Sequence, residues 1–279
     1  MFDTFKNRLE LTGTLSTVTA LRIGAGKSTD PTSSDLPVMK DALDRPFIPG
    51  SSFKGALRSR LESFLRSIDP TLAHDPNDLV STVWMQRVKA LKDQAIDDAQ
   101  LTQSLVNITD AVSLLFGSPW IASKLQIQDL MVKPEIWFGQ YQERDGVSIE
   151  RDTETAADGR KYDFQVVPAG TLFSFKAIVE NATDEELGLL TIGLTQFENE
   201  MIPLGGGRSR GLGVVQLELE EMIWIDPETP AQFLTYLQQL VEGELQSYVK
   251  TAAEMKELKA AWSLAFVNSL KARFVVAAQ

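Results

Sequence analysis

Cysteine is absent from this chain and histidine occurs once, at position 74. The first absence excludes disulfides, thiolate metal sites and cysteine nucleophiles. The second excludes acid–base catalysis by a pair of histidines. No stretch approaches the roughly 20 apolar residues of a membrane span, and residues 1–10 mix Phe with Asp, Lys and Arg where an apolar leader would stand. We therefore expect a cytoplasmic protein with no membrane partner. Excess positive charge is missing too: 27 Lys and Arg stand against 38 Asp and Glu, a net charge of −11. Such a chain does not coat nucleic acid over its whole surface, so any polyanion site must be local.

What is present is ordinary globular composition. With 279 residues, 43% of them hydrophobic, the chain can build one large or two small cores. Against the acidic background, residues 40–66 carry Lys40, Arg45, Lys54, Arg58, Arg60 and Arg66 but only Asp41, Asp44 and Glu62 as acids. That reversal marks a candidate functional face, although a solvated helix would have the same composition.

Residues 10–21 have a partial period-two pattern rich in Thr and predict a first strand. A polar loop over 24–37 follows, then an extended piece at 38–39 and a turn at 44–46. Ser51 or Ser52 is placed to cap a helix over 53–68, whose Phe53, Leu57, Leu61, Phe64, Leu65 and Ile68 fall at helical spacing. The opposite face of this helix carries Lys54, Arg58 and Arg66. Residues 69–117 predict helices of irregular connection near His74, and 125–132 another strand. The charged stretch 134–165 predicts a projecting hairpin or mobile loop. A strand over 170–179, a helix over 185–200 with Leu187, Leu190, Leu194 and Phe197 on one stripe, and a strand over 214–225 complete the order. Strand, helix, strand, strand, helix, strand is the order of an α+β, ferredoxin-like domain. Two further helices are expected over 230–253 and 254–274.

The segment GGGRSRGLG at 205–213 combines glycines, which permit positive φ and close backbone approach, with Arg208 and Arg210 as phosphate partners. It lacks the Gly-Lys-Ser/Thr ending of a nucleotide-hydrolysing phosphate loop and follows a helix where such a loop opens one. GAGKS at 24–28 lacks the leading glycine at the required spacing. The segment IPGSSFKGALRSRLE at 48–62 feeds a turn into a helix N-terminus bearing Ser51, Ser52 and then Lys54 and Arg58, a natural anion site. Each segment also has a plain structural reading, as a flexible turn and as a capped amphipathic helix.

Together these segments resemble the RAMP superfamily, the backbone subunits of type III CRISPR–Cas complexes. LFG at 115–117 followed by Leu125, and ERDTE at 150–154 leading to VPAG at 167–170, resemble two further family segments, so the likeness runs from about residue 8 to 219. The resemblance implies a ferredoxin-like (RRM-like) RAMP domain over 1–226, with a helical insertion at about 69–117 and a thumb hairpin at about 134–165, and a helical C-terminal extension over 227–279. It implies guide RNA, target RNA and other RAMP subunits as partners. It implies a grip on RNA by Lys27, Ser51, Ser52, Lys54, Arg58, Gly205, Gly206, Gly207, Arg208, Ser209 and Arg210.

DLPV at 35–38 resembles the family segment whose Asp is held responsible for RNA cleavage. Asp35 is then the expected catalytic residue and ligand of a divalent metal, Mg2+ or Mn2+, promoting attack by a 2′-OH. Asp30, Asp41 and Asp44 compete for the role, and a lone Asp in a Ser-rich loop is commonly a turn residue. The alternatives are a non-catalytic structural subunit, an endoribonuclease that processes precursor CRISPR RNA, and a metabolic enzyme of the same fold. His74, in HDPN at 74–77, is expected to be an exposed loop residue.

Overall fold

The computed structural model describes residues 3–27, 34–150 and 155–277. Its centre is a four-stranded antiparallel sheet made of β1 (Arg8–Thr17), β3 (Leu125–Ile127), β7 (Leu172–Glu180) and β8 (Val215–Ile225), in the order β3-β7-β1-β8. Leu9, Leu11 and Leu15 of β1 are buried, which is the period-two signal of the sequence realised as one core face. Gly13 stands at a bulge where the register between β1 and β8 shifts, and a Cβ there would lie 2.1 Å from the Glu218 carbonyl oxygen.

Helices α1 (Gly50–Ile68) and α6 (Asp184–Glu198) pack with the sheet around buried Phe53, Phe175 and Phe197. The Phe53 ring lies 5.2 Å from that of Phe175 and 4.2 Å from that of Phe197. This is an α+β architecture with one main core and two smaller buried clusters among the described residues. α6 begins at a reciprocal cap between Thr183 and Glu186, and Glu186 also receives the buried Lys124 ammonium at 2.6 and 2.7 Å.

Three differences from the sequence expectations have local causes. The stretch 125–132 divides into β3 and β4 (Leu130–Met131), because β4 leaves the sheet to pair with β2 (Phe47–Ile48). The expected helix over 230–253 ends as α7 (Pro230–Glu242) at left-handed Gly243. The last helix, α8 (Ala252–Ala277), begins where Thr251 and Glu254 cap each other. Residues 76–116 form the short helices α2 (Pro76–Leu79), α3 (Thr82–Gln94), α4 (Asp98–Ile108) and α5 (Ala111–Phe116). His74 is half-buried, its ring 5.1 Å from that of Trp84, and is not the exposed residue expected.

The charged stretch before β7 contains an antiparallel hairpin, β5 (Gln142–Glu150) and β6 (Thr155–Val166). Its base joins the main body through the bridge between Leu21 and Val167. The expected Asp30 and the residues Arg151, Asp152 and Glu154 lie outside the described residues. α8 packs along α6 so closely that a Cβ on Gly188 would lie 2.0 Å from the Trp262 carbonyl oxygen. Lys259 pairs with Glu198 at 2.7 Å across the same contact. No helix among the described residues is long and apolar enough to cross a membrane.

Candidate nucleic-acid interface

The glycine-rich loop is a built structure. The Leu204 amide donates to the Gly213 carbonyl at 2.8 Å, the Gly213 amide to Ala20 at 2.9 Å, and the Gly206 amide to Arg22 at 2.8 Å. Gly205 has φ +73°, and a Cβ on it would lie 2.1 Å from the Arg22 carbonyl oxygen. Glycine at 205 is therefore dictated by the chain's own backbone, and the positive φ expected of these glycines is present at 205, 207, 211 and 213. Left-handed Gly207 and Gly211 then bracket a single 3-10 turn, Arg208–Arg210. Among the described residues the amides of Gly207, Arg208 and Ser209 meet no acceptor, which leaves N–H groups free beside two exposed guanidinium groups.

Asp35 is exposed, and the loop that carries it runs beside β6. Leu36 forms a parallel bridge with Phe164, and the Gln165 amide donates to the Leu36 carbonyl at 3.1 Å. The pairing sets Asp35 opposite Asp163: the Asp35 amide donates to Asp163 Oδ1 and the Asp163 amide to Asp35 Oδ2, both at 3.3 Å. The Asp35 amide is the first cause that holds the Asp163 carboxyl below the usual carboxylate range.

One residue earlier on the same strand, the Tyr162 hydroxyl accepts from Arg210 at 3.0 Å, and this bond raises the arginine's already high pKa. One residue later, Phe164 joins Ala20, Val166 and Leu212 in a small buried cluster, with Leu36 and Tyr162 against it. The Arg22 guanidinium lies 4.9 Å over the Phe164 ring, and its Nε is buried without a hydrogen-bond partner. The fold thus brings the glycine loop and the Asp35 loop, well separated in sequence, onto consecutive residues of β6.

Arg22, Tyr162 and Asp163 were missed by the sequence reading. The alternation of Tyr162, Phe164 and Val166 with Asp163 and Gln165 was a strand signal inside a segment read as polar excursion. Arg22 stood out only as a lone cation between Leu21 and Ile23.

The first-helix residues have other partners. α1 is preceded by Pro49 in place of a serine cap, because the Asp129 carboxylate accepts from the Gly50 amide at 2.8 Å. Ser51 and Ser52 therefore sit within the helix, the first exposed and the second half-buried. Lys54 turns inward and donates to Ser123 Oγ at 2.6 Å and to the Leu125 carbonyl at 2.8 Å. Burial, reinforced by the Arg58 charge, pushes its pKa down to about 8. Arg58 donates to Glu62 at 2.7 Å, to the Gly117 carbonyl at 3.1 Å and to Ser113 at 3.2 Å.

The rest of the basic stretch is engaged likewise: Lys40 with Asp44, Arg45 with Asp41, Arg60 with Gln196 and Arg66 with Glu62. The local excess of cations, read as a candidate functional face, is in large part an internal hydrogen-bonding network. Lys27 is exposed at the edge of the described residues.

Among the described residues no group of three or more His, Asp or Glu side chains could hold a metal ion. Asp35 instead offers one exposed carboxylate, and Mg2+ commonly takes one or two carboxylates together with water and substrate phosphate. That residue fits a divalent ion whose other ligands are water and a substrate phosphate.

An antiparallel sheet backed by α1 and α6, with a glycine loop leading into its edge strand, agrees with the family comparison. Residues 14–216 match the RAMP superfamily, and the chain belongs to that family. Over 220 residues it is 26% identical to the CRISPR system Cms endoribonuclease Csm3 of Enterococcus italicus, covering 77% of this chain and 92% of that protein. The protein of the same name from Mycobacterium tuberculosis is 40% identical over 73 residues, a match spanning 25% of this chain and 31% of that relative.

Proposed function

We propose that the chain is a guide-RNA-binding backbone subunit of a type III CRISPR effector complex that cleaves guide-paired target RNA with Asp35. In this reading residues 1–226 are a ferredoxin-like RAMP domain, with helices at about 69–117 inserted and the β5–β6 hairpin as its thumb. Residues 227–279 are a helical extension. The protein works in the cytoplasm beside related subunits.

The observation that carries the reading is the junction on β6, where Arg210 meets Tyr162 at 3.0 Å and Asp35 meets Asp163 at 3.3 Å. A phosphate-gripping loop and an exposed carboxylate are thereby held side by side. Arg208, Arg210 and the free amides of the loop hold RNA phosphate without reading sequence. Lys27, Ser51 and Ser52 are further RNA contacts in this reading, while Lys54 and Arg58 tie α1 to the segment 113–125. A divalent ion, Mg2+ or Mn2+, would supply positive charge opposite the scissile phosphate.

Asp35 takes the proton of a 2′-OH as the 2′-oxygen attacks the adjacent phosphorus. The 5′-oxygen leaves with a proton from water, giving a 2′,3′-cyclic phosphate and a 5′-OH. Target RNA is expected to remain bound but uncut opposite an Asp35→Ala subunit in the assembled complex; persistent cutting at that position would leave this subunit a purely structural one. The only histidine packs on Trp84, which disfavours a histidine-based processing nuclease.

A further inference from the structure

We infer that Asp163 is the positioning residue for Asp35, an assignment that rests on the cleavage reading above. Asp35 is exposed, and the polar contacts that fix it come from one residue of β6. The Asp163 carboxylate accepts the Asp35 amide, and the Asp163 amide donates to Asp35 Oδ2, each at 3.3 Å. The first contact fixes the backbone from which the reactive side chain springs. The second fixes the carboxylate itself through Oδ2, and the two carboxyl groups also contact each other.

Neighbouring contacts make the clamp stiff. Ser34, just before Asp35, is buried, and Leu36, just after it, is bridged to Phe164. Tyr162 and Phe164, on either side of Asp163, are held by Arg210 and by the Leu212 cluster. The RNA grip and the reactive carboxylate are therefore in register through consecutive residues of one strand. Asp163 acts through hydrogen-bond geometry, so its role belongs to an acceptor at that position and does not require its charge.

The test uses assembled complexes carrying full-length variants of this subunit, with single-turnover cleavage and target-RNA affinity measured on each. Asp163→Ala is expected to slow cleavage about tenfold or more, with affinity within about twofold of wild type, since a misplaced reacting group costs rate before binding. Asp163→Asn keeps the acceptor and is expected to cut within about threefold of wild type. Asp163→Glu keeps the charge but moves the acceptor by one carbon, and is expected to be slowed about tenfold. The Asn and Glu variants carry the test if the Ala variant fails to assemble. Wild-type cleavage by both Ala and Glu variants, or an Asn variant as slow as Ala, would overturn the assignment. Asp35→Ala runs in parallel: continued cutting there removes the cleavage reading itself, whereas an inactive Asp35→Ala beside a fully active Asp163→Ala removes only the positioning role.

Discussion

Arg210 donates to the Tyr162 hydroxyl at 3.0 Å, which ties the tip of the glycine loop to the strand that faces Asp35. The arginine stays exposed, and its remaining N–H groups are available to phosphate.

Arg210→Ala in the assembled particle is therefore expected to weaken guide retention equally for all guide sequences. It should also lower the slope of log affinity against log salt by about one, the signature of one lost phosphate contact. Tyr162→Phe removes only the internal acceptor and is expected to leave the slope unchanged. Filter binding across a salt series checks both, and an unchanged slope for Arg210→Ala would remove this residue from the interface.

The two ends of the glycine loop are expected to respond differently to a methyl group. Gly211 has φ +80° with nothing within 4 Å of an added Cβ, so Gly211→Ala carries only the left-handed cost of about 1–2 kcal/mol. Gly205→Ala carries that cost and also collides with the Arg22 carbonyl 2.1 Å away, an overlap that adds about 1–3 kcal/mol. Urea denaturation of the two variants should rank 205 well below 211.

Lys54 gives the fold a dependence on alkaline pH. Its folded pKa of about 8 lies below the ordinary 10.5, so between these values the unfolded chain binds the proton more fully. Stability contributed by this group rises as pH climbs through that window and is flat below it. Lys54→Met lacks the term, so the wild type should gain on the variant between pH 7 and 9.5 in denaturation midpoints. Parallel curves for the two proteins would mean that the ammonium is not held as the structure places it.

Much of the fold was legible because it rests on local pattern. The alternation in β1, the stripe of α6 and the glycine punctuation at 205–213 each express a single element's own geometry. What escaped depends on partners distant in sequence. Ser51 looked like a cap because Asp129, which caps α1 in its place, lies 79 positions from Gly50. Arg58 looked solvent-facing because Gly117, whose carbonyl it reaches, lies 59 positions away. For the candidate site, Asp35 and the arginines could be named one by one. Asp163 could not, since among the many acids of 143–163 only the pairing of Leu36 with Phe164 singles it out.

The contact between Gly188 and Trp262 restricts what this family of sequences can place on α6 beneath α8. A helix lying so close over position 188 leaves no room for any side chain there. Glycine at 188 and the close seat of α8 on α6 therefore depend on each other. Relatives that end after the last sheet strand should be free to carry larger residues at the equivalent position, and those that keep the helix should not.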